Sequence, residues 1–164
     1  MCTAFASAFS LLVVILVFDS TECQSLTAEN IKYVVSQDKQ NWIQALINCK
    51  SSGMELATVN SEEEHLAMEK FLKDSGHDLG YWLGGTKLGD GTYYWAPTGA
   101  KVVFTKWFVG QPDNGGLDLP PEDCIQWGMP SYSPKPTGWN DLNCNRSIQY
   151  ICQTVDYCYA PNVV

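Results

Sequence analysis

The chain has 164 residues, enough for one domain with a core of its own, and its composition is that of an ordinary globular protein apart from seven cysteines and six tryptophans. Its formal charge of −8 at pH 7 disfavours nucleic acid and anionic lipid as partners. It carries no nucleophile beside a base, no His-metal motif and no phosphate-cradling glycine loop, so it does not read as an enzyme.

Residues 1–23 include the apolar run Leu11 to Phe18, which is too short to span a bilayer and suits the centre of a secretory signal peptide. Cleavage after Cys23 would expose Gln24 and send the remainder, residues 24–156 plus a short tail over 157–164, to an extracellular location. No Lys or Arg precedes the run, which is atypical of a signal, so a retained membrane anchor is the alternative. Removing Asp19 and Glu22 with this segment leaves a net charge of −6.

Ile31-Lys32-Tyr33-Val34-Val35 alternates and is β-branched, which predicts a first strand. The period then changes to a helical one, with Trp42, Ala45, Leu46 and Cys49 on one face and Gly53 as a stop signal. A strand is expected over Glu55 to Val59. Ser61-Glu62-Glu63-Glu64 reads as a capping box opening a second helix that carries Leu66, Met68, Phe71 and Leu72. His65 is placed on the polar side of that helix and His77 in a loop, both solvated. Tyr81-Trp82-Leu83-Gly84-Gly85 is expected to be a strand, and beyond it glycine, proline and aromatics dominate, which predicts short antiparallel strands and long ordered loops. Trp82, Trp95 and Trp107 are expected in the core.

A loop segment over residues 110–121 would count against a compact domain unless it is functional. Around it lie Gln111-Pro112-Asp113, Glu122-Asp123-Cys124 and Trp139-Asn140-Asp141, then Cys144 and Cys152. Three carboxylates (Asp113, Glu122, Asp141) and two amides (Gln111, Asn140) form the hard-oxygen set that Ca²⁺ takes. Taken singly, Gln-Pro-Asp is an ordinary turn sequence. Asn145-Arg146-Ser147 is a glycosylation sequon at Asn145. Past residue 23 five cysteines remain, Cys49, Cys124, Cys144, Cys152 and Cys158, most of which should pair in a secreted chain.

The order and spacing of these pieces resemble the C-type lectin domain, a Ca²⁺-dependent sugar-binding module, as do the Leu-Ala and Ser-x-x-Glu pieces of the two-helix half. The resemblance implies an α+β fold of two helices, short antiparallel sheets and a long calcium-binding loop region. It implies the disulfides Cys49–Cys152 and Cys124–Cys144, the first closing a loop of about 100 residues. It implies a cis bond before Pro112, with Gln111, Asp113, Glu122, Asn140 and Asp141 binding one Ca²⁺ together with two vicinal sugar hydroxyls. The amide NH₂ groups would donate to those hydroxyls and the carboxylates would accept. Trp139 would support Asn140.

Gln-Pro-Asp stands where mannose binders read Glu-Pro-Asn, so the resemblance implies galactose or N-acetylgalactosamine on the glycans or glycoproteins of cells or microbes, a role suited to innate immune recognition. The Trp that usually follows the tripeptide in this branch is replaced by Asn114-Gly115-Gly116-Leu117, with Tyr132 as a substitute stacking platform. No second Ca²⁺ is expected: Asp90, Glu122 and Asp123 could contribute, but Thr86 and Lys87 stand where an acidic ligand belongs, and Asn114 where another acid is common. Cys158 is left over and is free either to bridge two chains or to pair with Cys23 if that residue is retained. The alternative function is a lectin-like module that binds a protein and uses Ca²⁺ only to order its loops.

Overall fold

The structure is a computed structural model that describes residues 33–77, 80–115, 120–128 and 138–155. Strand β1 (Tyr33–Val35) precedes helix α1 (Trp42–Ser51), the two-residue strand β2 (Glu55–Leu56) and helix α2 (Glu62–Asp74). Six strands follow: β3 (Tyr81–Thr86), β4 (Tyr94–Trp95), β5 (Ala100–Lys101), β6 (Cys124–Trp127), β7 (Trp139–Leu142) and β8 (Gln149–Gln153). The architecture is α+β, as expected. Ile31 and Lys32 of the expected first strand lie outside the described residues.

Both helices start where their sequences supply an acceptor for the open first-turn amides. Asn41 Oδ1 accepts from the Gln44 N–H at 2.8 Å and Ser61 Oγ from the Glu64 N–H at 3.2 Å. The Glu64 carboxylate reaches back, as a capping box requires, but accepts the N–H of Asn60 at 2.7 Å, one residue before the cap.

β1 and β2 each pair antiparallel with β8, so the first and last described strands close the domain. β3 pairs antiparallel with β4 and β6, and β6 with β7. Against the expectation of antiparallel strands only, β3 runs parallel to β8, with Trp82 opposite Tyr150. The sheet is therefore mixed. A parallel neighbour needs a long crossover, and the whole loop-bearing half of the chain lies between these two strands.

The expected strand over Glu55 to Val59 is shorter than its composition suggests. Past Leu56 the backbone turns inward, and its hydrogen bonds are spread over three partners: the Ala57 N–H donates to Ile151 O at 2.8 Å, the Ala57 carbonyl accepts from the Gly84 N–H at 2.7 Å, and the Thr58 N–H donates to Gln153 Oε1 at 2.9 Å. The Gly84-Gly85 pair in β3 is required by packing. A Cβ on Gly84 would stand 2.9 Å from Leu56 O, and one on Gly85 2.3 Å from Ile125 Cδ1.

The core has two parts. One packs Met68 and Leu72 of α2 against Leu83, Ile125, Trp127 and Trp139. The other joins Trp42 of α1 to Leu56, Trp82 and Tyr150 around the disulfides. Two indoles lock these elements, since Trp42 Nε1 donates to Leu83 O at 2.8 Å and Trp82 Nε1 to Gln40 O at 2.9 Å. Trp82 and Trp95 are buried and Trp107 packs partly buried against the core. The disulfides Cys49–Cys152 and Cys124–Cys144 are both formed, while Cys23 and Cys158 lie outside the described residues.

Helix α2 departs from the expectation that its histidine is solvated. His65 is 1% exposed, with its ring 4.5 Å from that of Trp127, whereas Leu66 is 53% exposed. Positions 65, 68 and 72 share one helical face, so the core-facing stripe begins at the histidine and leaves Leu66 beside it. His77 is likewise only half-exposed, between the rings of Phe71 and Tyr81. Neither ring nitrogen of His65 has a hydrogen-bond partner. Burial holds its pKa below the usual value and Lys106 adds to this, while Glu62 and Glu69 oppose it.

Because the folded state resists this proton, the stabilising contribution is complete above the unfolded value of about 6.5 and is lost as pH falls through it toward the lowered folded value. His65→Leu should therefore retain more of its thermal stability than wild type between pH 7 and pH 5. Equal acid losses in parallel melting curves would rule out His65 as the source.

Candidate metal and ligand site

The long connection from β5 to β6 is stitched to β7 before it reaches the candidate residues. The Trp139 N–H donates to Lys106 O at 2.8 Å and the Phe108 N–H to Trp139 O at 2.9 Å. Trp139, fully buried, stands edge-on to Trp95, Phe104 and Trp107. It therefore supports both Asn140 and the loop. The Gln111 N–H then closes a turn on Phe108 O at 2.9 Å, and the Gln111–Pro112 bond is cis.

Asp141 organises the loop beyond the cis bond. It is fully buried on β7, opposite Ile125, and its carboxylate takes the Asp113 N–H on Oδ1 at 3.0 Å and the Asn114 N–H on Oδ2 at 2.9 Å. Asn114 adopts φ +56°, a left-handed conformation that Asn tolerates better than most residues, and its Oδ1 accepts the Glu122 N–H at 3.1 Å. The two ends of the loop are thereby tied together. Asn143 Nδ2 adds a bond to Pro121 O at 2.9 Å.

The result is a convergence of carboxylates. One oxygen from each of Asp113, Glu122 and Asp141 lies within 4.8 Å of the others, and among the described residues this is the cluster of His, Cys, Asp or Glu suited to holding a metal ion. Burial raises the Glu122 pKa, with the Asp141 and Asp113 charges adding to the rise and Lys87 and Arg146 opposing it. The donor set fits a hard divalent cation of the Ca²⁺ type, since it offers three anionic oxygens and neither imidazole nor thiolate.

The two amides are present but partly engaged. Gln111 Oε1 accepts from the Asp113 N–H at 3.0 Å. Asn140, buried in register with Gln126, spends its amide nitrogen on Gln126 Oε1 at 3.1 Å and on Asp141 O. Both amide hydrogens are used, which leaves the oxygen of Asn140, and not the expected NH₂ donor, for an ion or a hydroxyl.

Two of the residues weighed for a second ion make local hydrogen bonds, Asp90 through its carboxylate and Asp123 through its backbone carbonyl. Asp90 caps a turn by accepting the Thr92 N–H at 2.9 Å, and the Asp123 carbonyl takes the Thr86 hydroxyl at 3.0 Å and the Lys87 N–H at 2.8 Å. Asn145 and its two sequon neighbours are exposed. Tyr132 lies outside the described residues.

Sequence reading missed Gln126, whose signal was a polar residue in the middle of the buried strand Cys124–Trp127. It also missed Tyr93, whose ring centre lies 5.3 Å from the Lys87 ammonium and whose pKa is raised by burial and then by the Asp141, Asp123 and Glu122 charges.

Comparison with known proteins gives the family of the fold that carries this cluster. Residues 38–154 match the family described as the lectin C-type domain. A perlucin-like protein of Mytilus galloprovincialis is 32% identical over 124 residues, covering 73% of this chain and 74% of the relative. C-type lectin 37Da of Drosophila melanogaster is 34% identical over 126 residues, covering 74% and 66%. Among solved structures, the carbohydrate-recognition domain of the mouse scavenger receptor C-type lectin superposes with a TM-score of 0.62 at 26% identity, covering 83% of this chain and 95% of that one. The match runs from before α1 through β8 and takes in the carboxylate cluster with both disulfides, so the chain belongs to the C-type lectin domain family.

Proposed function

We propose that this chain is a secreted, Ca²⁺-dependent lectin whose single ion, held by Gln111, Asp113, Glu122, Asn140 and Asp141, presents a site for galactose-type glycans. The observation that carries this reading is the meeting of the Asp113, Glu122 and Asp141 carboxylate oxygens within 4.8 Å on a loop already tied to β7. Repulsion among these groups is what a divalent cation relieves, and sugar hydroxyls can complete its oxygen shell. Secretion is supported by the apolar run of residues 11–18, by two disulfides and by relatives named salivary C-type lectins. Among the described residues no helix is long and apolar enough to cross a membrane.

The commitment of the Asn140 amide nitrogen to Gln126 and Asp141 O favours one alternative, in which Ca²⁺ only orders the loop and the ligand is a protein. A glycan array run with Ca²⁺ and with chelator separates the two. Galactose-type signal that disappears in chelator, and that falls in acid as protons displace the ion from the carboxylates, is the expected result. Signal retained in excess chelator overturns the calcium reading, and an array blank under both conditions supports the protein-binding alternative. In the same format Gln111→Glu with Asp113→Asn exchanges donor and acceptor and should shift preference toward mannose-type sugars. Unaltered galactose selectivity in that variant contradicts the donor-order argument.

A further inference from the structure

Four ion pairs join described residues, and three of them are surface pairs of the kind that contribute little. Lys50–Glu55, Lys70–Asp74 and Lys106–Glu62 each have a lysine side chain at least 41% exposed. The fourth differs. Lys87 Nζ stands 3.4 Å from Asp141 Oδ2, with the lysine side chain 17% exposed and the carboxylate 0%. The backbone below it is fixed, because the Lys87 N–H and the neighbouring Thr86 hydroxyl both donate to Asp123 O. The ammonium also lies 5.3 Å from the centre of the Tyr93 ring, whose face attracts a cation. A lysine in the turn after β3 is thus held against the carboxylate that organises a loop 27 residues before that carboxylate in the chain.

We propose that Lys87 is the built-in counter-cation of the Asp113–Glu122–Asp141 cluster, holding Asp141 in place when no ion is bound and setting the charge that an incoming metal ion meets. The part concerning metal affinity rests on the calcium reading; the part concerning the ion-free loop does not. Three carboxylates carry three negative charges, and one ammonium reduces the local charge to one that a single divalent ion balances. Oδ2 of Asp141 takes both Lys87 and the Asn114 N–H, while Oδ1 takes the Asp113 N–H. Lys87 therefore supports the same carboxylate from which the loop hangs. As a positive charge it also repels any cation bound alongside, at a separation where screening by water is incomplete.

These two roles pull a substitution in opposite directions. Lys87→Met keeps an unbranched side chain of similar length and deletes the charge. In chelator its melting temperature should fall below wild type, because Asp141 loses its partner, and in Ca²⁺ titration calorimetry its Kd should be tighter by about three- to tenfold. Lys87→Arg should restore the wild-type direction on both readings. Lys87→Gln retains a hydrogen-bond donor without the charge, and carries the titration if the Met variant fails to fold by circular dichroism.

A merely structural lysine gives the reverse affinity result, since loosening the loop weakens Ca²⁺ binding. A weaker or unchanged Kd in the charge-free variant overturns the charge-setting role, and wild-type melting in chelator overturns the holding role. If wild type itself binds no Ca²⁺, the calcium reading fails while the chelator melts still decide the holding role.

Discussion

Asp141→Ala is expected to abolish Ca²⁺ binding and at the same time to lower stability by about 3 to 5 kcal/mol, the range for removing one partner of a buried charge pair. The side chain is fully buried and satisfies three donors, the N–H groups of Asp113 and Asn114 and the Lys87 ammonium. Truncation takes the acceptor from the Asn114 N–H and from a mostly covered cation, while the Asp113 N–H keeps Gln111 Oε1. For a domain of this size the melting temperature should drop by roughly 10 to 20 °C. Asp113→Ala is the informative partner. Asp113 is exposed and, among the described residues, its carboxylate accepts only the Gly115 N–H, so binding should be lost with a stability change of about 1 kcal/mol or less. Thermal melts in chelator alongside calcium titrations of both variants test this. A stable Asp141→Ala protein would show that the loop does not hang from that carboxylate.

Removal of the Cys49–Cys152 bridge should produce the second large effect. It joins α1 to β8 across 103 residues of sequence, which the chain-entropy model values at about 4.7 kcal/mol, against about 3 kcal/mol for Cys124–Cys144 across 20 residues. The cysteines of both bridges lie in or against the core around Trp42 and Trp82, so alanine leaves unfilled volume in either case and the difference rests on loop length. The double variant Cys49→Ala, Cys152→Ala should melt well below Cys124→Ala, Cys144→Ala. The second pair borders the carboxylate loop, through Cys124 beside Asp123, so its loss should weaken calcium binding more than its smaller stability cost suggests. Equal melting temperatures for the two double variants would contradict the loop-length argument.

The sequence by itself determined whatever depends on near neighbours along the chain. Asn41 and Ser61 open the helices because a side-chain oxygen can reach an amide three residues ahead. The candidate site was legible as a set of hard-oxygen side chains near Gln111-Pro112-Asp113, Glu122 and Trp139-Asn140-Asp141, and the resemblance in order and spacing, not any one run, assigned them to a single ion. The two disulfides and the two-helix, short-strand architecture came from resemblance in spacing, and the structure has both.

Tertiary structure alone decided the features set by meetings between distant segments. Residue type put His65 on the polar side of its helix, but its place on the buried face with Met68 and Leu72 is settled by Trp127 and Phe104 arriving from other parts of the chain. The parallel pairing of β3 with β8 depends on the long connection between them, which local alternation does not encode. The amide nitrogen of Asn140 meets Gln126 because the β6–β7 register sets the two residues opposite each other. Lys87 and Asp141 are 54 positions apart, and nothing local to either requires the other. A charge acquires its role from the dielectric and the partners around it, and those are properties of the packed fold.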